Sequence, residues 1–224
     1  MRCRDFWRPN FISYRRYLLD HCLEAHKHLM TGVVLDLGGK RGRKRGAFRP
    51  PEAQADRWFY INIAPETRPD VLADVVRVPF SDAYANCIIC TEVLEHLPNP
   101  IACVDEAYRL LKPGGLLIAS VPFLYPVHAD PFDYQRFTAD GLRYLCRRFT
   151  SVHVQSMGGY LGVIGMFLEL GVSGWQGGWR LPRGVVKRLV ICLARSLYWV
   201  DQKLPNLGQM EYGYSTGYFI KCVK

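Results

Sequence analysis

The sequence predicts an α/β protein built on a parallel sheet with helical crossovers. Three observations carry that prediction. Short apolar runs alternate with segments of helical periodicity, the pattern of strand–helix–strand units. The run Val33-Val34-Leu35-Asp36-Leu37 is closed at once by Gly38-Gly39, which reads as a buried strand ending in a tight turn. Lys112-Pro113-Gly114-Gly115 stands between a helical stretch and the apolar run Leu116 to Pro122, so proline and glycine end the helix and a strand follows.

The elements follow in order. From 11 to about 30, Phe11, Tyr14, Leu18, Cys22, Ala25 and Leu29 recur at three- and four-residue steps, an amphipathic helix with Pro9 and Asn10 at its start. It feeds the strand 33–37. A loop comes next in which Lys40, Arg41, Arg43, Lys44, Arg45 and Arg49 occupy ten positions. Such a loop is either a solvated basic segment or an anion cradle at the strand end. It is not a Walker loop, because no Gly-Lys-Ser/Thr closes it. Strands are expected at 57–63, 71–74, 86–91, 116–122, 151–157 and 217–223, with helices at 100–111 and 139–148, the latter capped by Thr138. Between the last two strands lie an apolar, glycine-spaced helix at 160–170 and a second helix at 185–200. On the second, Val185, Val186, Leu189, Val190, Leu193, Leu197 and Val200 share one face opposite Lys187, Arg188 and Arg195. This pair is read as a hairpin packed on protein, with a basic amphipathic surface on an anionic membrane as the alternative. The chain 1–224 is thus expected to be one domain: an N-terminal helix region (1–32), a core (33–157), a helical insertion (158–210) and a final strand (211–224).

At 224 residues, 49% apolar and 22% charged, the chain has the make-up of a globular protein with a substantial core. A net charge of +9 favours an acidic partner: phosphate, nucleic acid or an anionic surface. The eight cysteines are scattered through apolar runs, which suits free thiols in a reducing compartment. Cys87 and Cys90 form a CxxC, but Ile88 and Ile89 between them suggest a strand, where positions three apart face opposite sides. No metal site is expected. The N-terminus lacks a run of signal-peptide length and no apolar run reaches membrane-spanning length. The expected location is cytoplasmic, with contact at a membrane surface through 160–200 as an option.

Over 33–157 the chain resembles the class I S-adenosylmethionine-dependent methyltransferases of the small type 11 kind. The resemblance rests on Val-Leu-Asp-Leu-Gly-Gly at 34–39, Asp74 with the following Val-Val-Arg-Val-Pro-Phe, TEVLEHLPNP at 91–100, and EAYRLLKPGGLLIASVP at 106–122. It implies a Rossmann-like, doubly wound sheet of seven strands, mostly parallel with an antiparallel last strand, and S-adenosylmethionine as cofactor. It also implies residue roles. Asp36, Gly38, Gly39 and Gly42 would hold the methionine portion, and Asn62 would meet the ribose hydroxyls. Asp74 and the Val75 N–H would meet the adenine, while Thr91 and Glu92 would line the pocket near the sulfonium. The chain departs from the family pattern at Lys40, where a third glycine is usual, at Asn62, where an acid is usual, and at Ala85-Asn86, where Phe-Asp is usual.

The 123–138 loop follows the fifth strand, where an acceptor should bind. Pro126 and Pro131 keep it irregular. His128 is the expected base, oriented by Asp130 or Asp133, with Asp133, Tyr134 and Arg136 gripping the acceptor; His96 is read as structural. The expected acceptor is a small molecule or glycan, anionic and methylated at oxygen; nucleic acid is not favoured, and a homodimer is an alternative use of the hairpin. The rival readings are a binding module that has kept the fold without turnover, and a nucleotide-dependent oxidoreductase, which the incomplete GxGxxG disfavours.

Overall fold

The structure is a computed structural model that describes residues 12–42, 46–129, 131–174, 183–204 and 213–224. Seven strands form one sheet in the order β3-β2-β1-β4-β5-β7-β6: β1 (Gly32–Leu37), β2 (Ala55–Asn62), β3 (Val71–Leu72), β4 (Ala85–Thr91), β5 (Leu111–Pro122), β6 (Ser151–Met157) and β7 (Gly217–Val223). All neighbours are parallel except β7, which runs antiparallel to both β5 and β6. The chain moves outward from β1 to β3 and then returns to the other side of β1 for β4. The order therefore reverses between β1 and β4, the crevice where open α/β sheets bind ligands.

Alternation along the strands builds two cores. Leu35, Ile61, Ile88, Cys90, Leu117 and Ile220 point to one face, covered by α2 (Pro100–Leu110) and α3 (Ala139–Leu145). Val34, Cys87, Ile89, Ile118 and Phe219 point to the other, covered by α1 (Tyr14–His26) and by the hairpin of α4 (Tyr160–Ser173) and α5 (Arg183–Lys203). Cys87 and Cys90 thus lie buried on opposite faces, as strand periodicity requires.

Local chemistry sets the ends. Ser13 caps α1, its Oγ accepting from Arg16 N at 3.2 Å, so the helix starts three residues later than the Pro9-Asn10 signal suggested; that signal lies outside the described residues. Thr138 caps α3 as expected, at 3.1 Å from Gly141 N. β5 begins at Leu111, pairs with Ala85, and regains register only at Leu116 with Cys87. Lys112 to Gly115 bulge out between, tied to the C-terminus by Gly114 N to Lys224 O at 2.9 Å and Lys224 N to Gly115 O at 3.0 Å.

A polar cluster ties the hairpin to α1. Tyr14 stacks on Tyr198 with centroids 4.2 Å apart, and its hydroxyl donates to Asp201 Oδ2 at 2.7 Å. The same oxygen accepts from Gly159 N at 2.9 Å. On α5 the buried residues are Ala194, Tyr198 and Asp201, while Val185, Leu189 and Leu193 are about half or more exposed. Part of the face expected to be covered is therefore turned outward, while Val186, Val190, Leu197 and Val200 are half-buried. The cause is close approach to α4, where a Cβ on Gly165 would lie 2.8 Å from Ala194 O and from the Tyr198 ring, so α5 presents its smallest and flattest side chains there. Among the described residues no helix is long and apolar enough to cross a membrane.

Candidate functional site

The parallel strands β1, β2, β3 and β4 end along one side of the sheet, with β1 and β4 flanking the order reversal. Gly38 adopts φ +76° and donates its N–H to Ile61 O at 2.8 Å. A Cβ there would lie 2.5 Å from Val93 Cγ2, so the turn presses directly on the segment after β4. At Gly39 the neighbour is the Asp36 carboxyl group, which folds back over the turn. Asn62 is buried, and its amide donates to Gly38 O at 3.0 Å and Gly39 O at 3.1 Å while its Oδ1 accepts from Ala64 N at 3.0 Å. Asn62 therefore braces the glycine turn and keeps one acceptor lone pair for a ligand.

The strand exits are also linked to one another. Ala73 N donates to Asn62 O at 3.1 Å, which brings in the Asp74-Val75 corner. Asp74 is exposed and turns its own loop through Val76 N at 3.1 Å; Val75 is buried. Gly42, with φ +99°, is exposed, and nothing lies within 4 Å of where a Cβ would stand. The structure thus brings together Asp36, Gly38, Gly39 and Asn62, sets Asp74 and Val75 beside them, and leaves Gly42 further along the loop. Lys40 is exposed. Arg41 pairs with Asp70, and Arg49 donates to Gly46 O and Phe48 O, both at 2.9 Å. Arg43, Lys44 and Arg45 lie outside the described residues.

Thr91 ends β4 opposite Ser120. Glu92 then takes φ +57°, a left-handed conformation that a non-glycine residue holds only when its surroundings enforce it. Those surroundings are visible. Its N–H donates to Ser120 O at 2.9 Å, its Oε1 accepts from Ser120 Oγ at 2.8 Å, and its Oε2 is paired with Arg15 of α1. The Arg15 guanidinium lies 4.4 Å from the centroid of Tyr125, so one cation joins the β4 exit to the 123–138 loop. Burial pushes the Arg15 pKa below its ordinary value, against the pull of Tyr125 and Glu95.

In that loop Asp133 grips Arg136, with Oδ2 at 2.7 Å from Nη2, and accepts from His128 N at 2.9 Å. The Arg136 hydrogen bonds hold Asp133 well below the usual carboxylate range, with burial opposing. Arg136 also donates to Gln135 O at 2.9 Å and Pro126 O at 3.2 Å. Asp133 and Arg136 are therefore spent on shaping the loop. Tyr134 is 52% exposed and is the one of the three presented to solvent. The His128 ring sits edge-on to Tyr125 and His96, at 5.3 and 5.2 Å between centroids. Asp130 lies outside the described residues.

Sequence reasoning missed Arg15 and Glu95, and read His96 only as structural. Arg15 is adjacent to the buried Tyr14 and falls off the apolar stripe, so periodicity gave no signal. Glu95 lies in a 3₁₀ turn, Leu94–His96, where helical spacing does not apply. Two surface hollows lie away from the strand exits, one around α2 and Lys224 and one between α1, β6 and α5, so concavity alone does not mark the site.

Comparison with known proteins bears on the same region. Residues 52–119 match the methyltransferase domain family. Cycloartenol-C-24-methyltransferase 1 of Oryza sativa subsp. japonica is 43% identical over 44 residues, 20% of this chain and 13% of that protein. A ubiquinone biosynthesis O-methyltransferase of Psychrobacter cryohalolentis is 37% identical over 60 residues, 27% of this chain and 21% of that protein. These two matches therefore span about a fifth or less of those relatives' lengths. A SAM-dependent methyltransferase from Archaeoglobus fulgidus superposes with TM-score 0.56 at 14% identity, covering 93% of this chain and 94% of that one.

Proposed function

We propose that this chain, a class I methyltransferase of type 11 by its fold and its match over 52–119, uses S-adenosylmethionine to methylate a small-molecule acceptor. The observation that carries the proposal is the convergence of the β1 glycine turn, Asn62, Asp74-Val75 and Glu92 at the order reversal of the sheet. The donor set fits the cofactor's polar groups. Asp36 and the Gly38-Gly39 turn, with Gly42 beyond, would hold the methionine portion. The remaining Asn62 lone pair would meet a ribose hydroxyl, Asp74 and Val75 N–H the adenine, and Thr91 and Glu92 the sulfur end. When bound, the cofactor supplies a methyl group made electrophilic by its sulfonium.

The chain's own part is positioning and proton removal. Arg15 and Ser120 fix Glu92 at the donor end, while Asp133 and Arg136 shape the acceptor loop. Tyr134 would meet the acceptor, and His128, with Asp133 or Asp130 beside it, would take a hydroxyl proton. We further propose an anionic small molecule or glycan methylated at oxygen, from the net charge of +9 and the basic 40–49 loop. A binding protein without turnover is the second reading, favoured by Asn62 being committed to the turn. A methyl-release assay with labelled S-adenosylmethionine and a panel of hydroxylated, acidic metabolites separates the two. Transfer that falls by roughly 10²–10⁴-fold in His128→Ala, with cofactor affinity kept, supports the first. Cofactor binding without transfer to any acceptor supports the second.

A further inference from the structure

Glu95 is fully buried, and neither carboxylate oxygen has a hydrogen-bond partner among the described residues. A buried carboxylate left that way calls for a compensating cation. His96 Nε2 and His128 Nε2 each lie 3.7 Å from Glu95 Oε1. One ligand atom from each of the three residues lies within 4.8 Å of the other two. A separation of 3.7 Å is too long for a hydrogen bond. It suits two ligands that each sit about 2.0–2.2 Å from a shared ion.

The outer ring nitrogens complete the picture. His96 Nδ1 lies 2.6 Å from Phe132 O, and His128 Nδ1 lies 3.3 Å from Pro126 O. A carbonyl only accepts, so each Nδ1 presents a proton to it, and at His128 the Asp133 carboxylate lies 3.4 Å from the same nitrogen; in that tautomer Nε2 turns a lone pair toward Glu95. Metal-binding histidines are oriented in this way. Lone pairs of two imidazoles and a carboxylate repel one another unless a cation lies among them. Arg15 and Arg136 attract the Glu95 charge, but their hydrogen bonds go elsewhere, to Glu92 and to Asp133. The two segments that bring the ligands together are tied by Tyr134 N to Glu95 O and Gln135 Nε2 to Leu97 O, each 2.8 Å.

We propose that Glu95, His96 and His128 bind a divalent transition-metal ion of the zinc and iron class. Two imidazoles and one carboxylate are the donor set of open sites for these metals. Three protein ligands leave room for another on the partly exposed histidine side, toward the 123–138 loop. There the inference rests on the function proposed above: an acceptor hydroxyl bound to the ion would be acidified by it, in place of direct proton transfer to His128.

The test is titration of the metal-stripped full chain with Co²⁺, followed by visible absorption, then displacement by Zn²⁺. One equivalent of Co²⁺ should give ligand-field bands of a nitrogen–oxygen site without thiolate charge transfer. His128→Ala, on the loop, and Glu95→Gln, in the core, should each weaken binding by at least about 100-fold. His128→Ala should keep the wild-type circular dichroism. No Co²⁺ or Zn²⁺ binding, thiolate charge-transfer bands, or wild-type affinity in folded His128→Ala would overturn the metal site. S-adenosylhomocysteine binding, measured on the same samples, judges the methyltransferase reading separately.

Discussion

At Gly38 two demands meet, a positive φ and contact with Val93, and no other residue satisfies both. Gly38→Val should therefore destabilise the fold by about 2–5 kcal/mol in urea denaturation, from backbone strain plus overpacking. That makes it a poor probe of ligand binding. The exposed Asp74, whose side chain bonds only to its own loop among the described residues, is a cleaner one. Asp201 is different again, since one oxygen serves both Tyr14 and Gly159. Asp201→Ala would leave a buried hydroxyl and an amide unsatisfied and should cost about 2–4 kcal/mol, read as a lower urea midpoint. Asn62 and the Asp133–Arg136 pair make a related point. Their residue types looked like ligand contacts, but tertiary partners far away or three residues along took up most of their bonding capacity.

At the scale of elements, α2 is pinned to the segment between β3 and β4 by Glu106 and Arg109. Glu106 Oε1 accepts from Val78 N at 2.8 Å, and Arg109 reaches Glu106, Asp82, Val78 O and Phe80 O. Burial raises the Glu106 pKa, but the Arg109 and Val78 hydrogen bonds outweigh it and leave the carboxyl below its ordinary value. A lowered carboxyl pKa means stability that is full above the unfolded value of about 4.3 and lost as pH falls through the folded value. The melting-temperature gap between wild type and Glu106→Gln should thus be widest near pH 7 and shrink below about pH 4. A constant gap would remove this ion pair from the account. The α4–α5 hairpin supplies the second expectation at this scale. Its inner side is fixed on α1, while Val185, Leu189 and Leu193 are exposed and Lys187 and Arg188 lie on the same helix. Burial on protein is already satisfied through Tyr198 and Ala194, so we expect no pelleting with anionic liposomes at physiological salt. Salt-sensitive pelleting that is lost when Lys187 and Arg188 become Gln would instead assign the outer face to a membrane surface.

At the scale of the whole molecule, the sheet was legible because its strands obey local rules. β6 and β7 have the expected bounds, and the turn after β1 carries its own glycines. The hairpin's buried face was not legible, because a hydrophobic wheel cannot see that α5 must present Ala194 and Tyr198 to a glycine-lined partner. Nor was the Glu95 cluster, which joins a 3₁₀ turn to a loop more than 30 residues later. The strand-exit residues were grouped by the family resemblance, and the order of the sheet sets them at the ends of neighbouring strands. The central claim is that this group binds the methyltransferase cofactor. Titration calorimetry of the full chain with S-adenosylhomocysteine tests it most directly. The account predicts one site per chain, with affinity reduced at least about 10-fold in Asp74→Ala at unchanged melting temperature; no binding, or equal affinity in the variant, would contradict it.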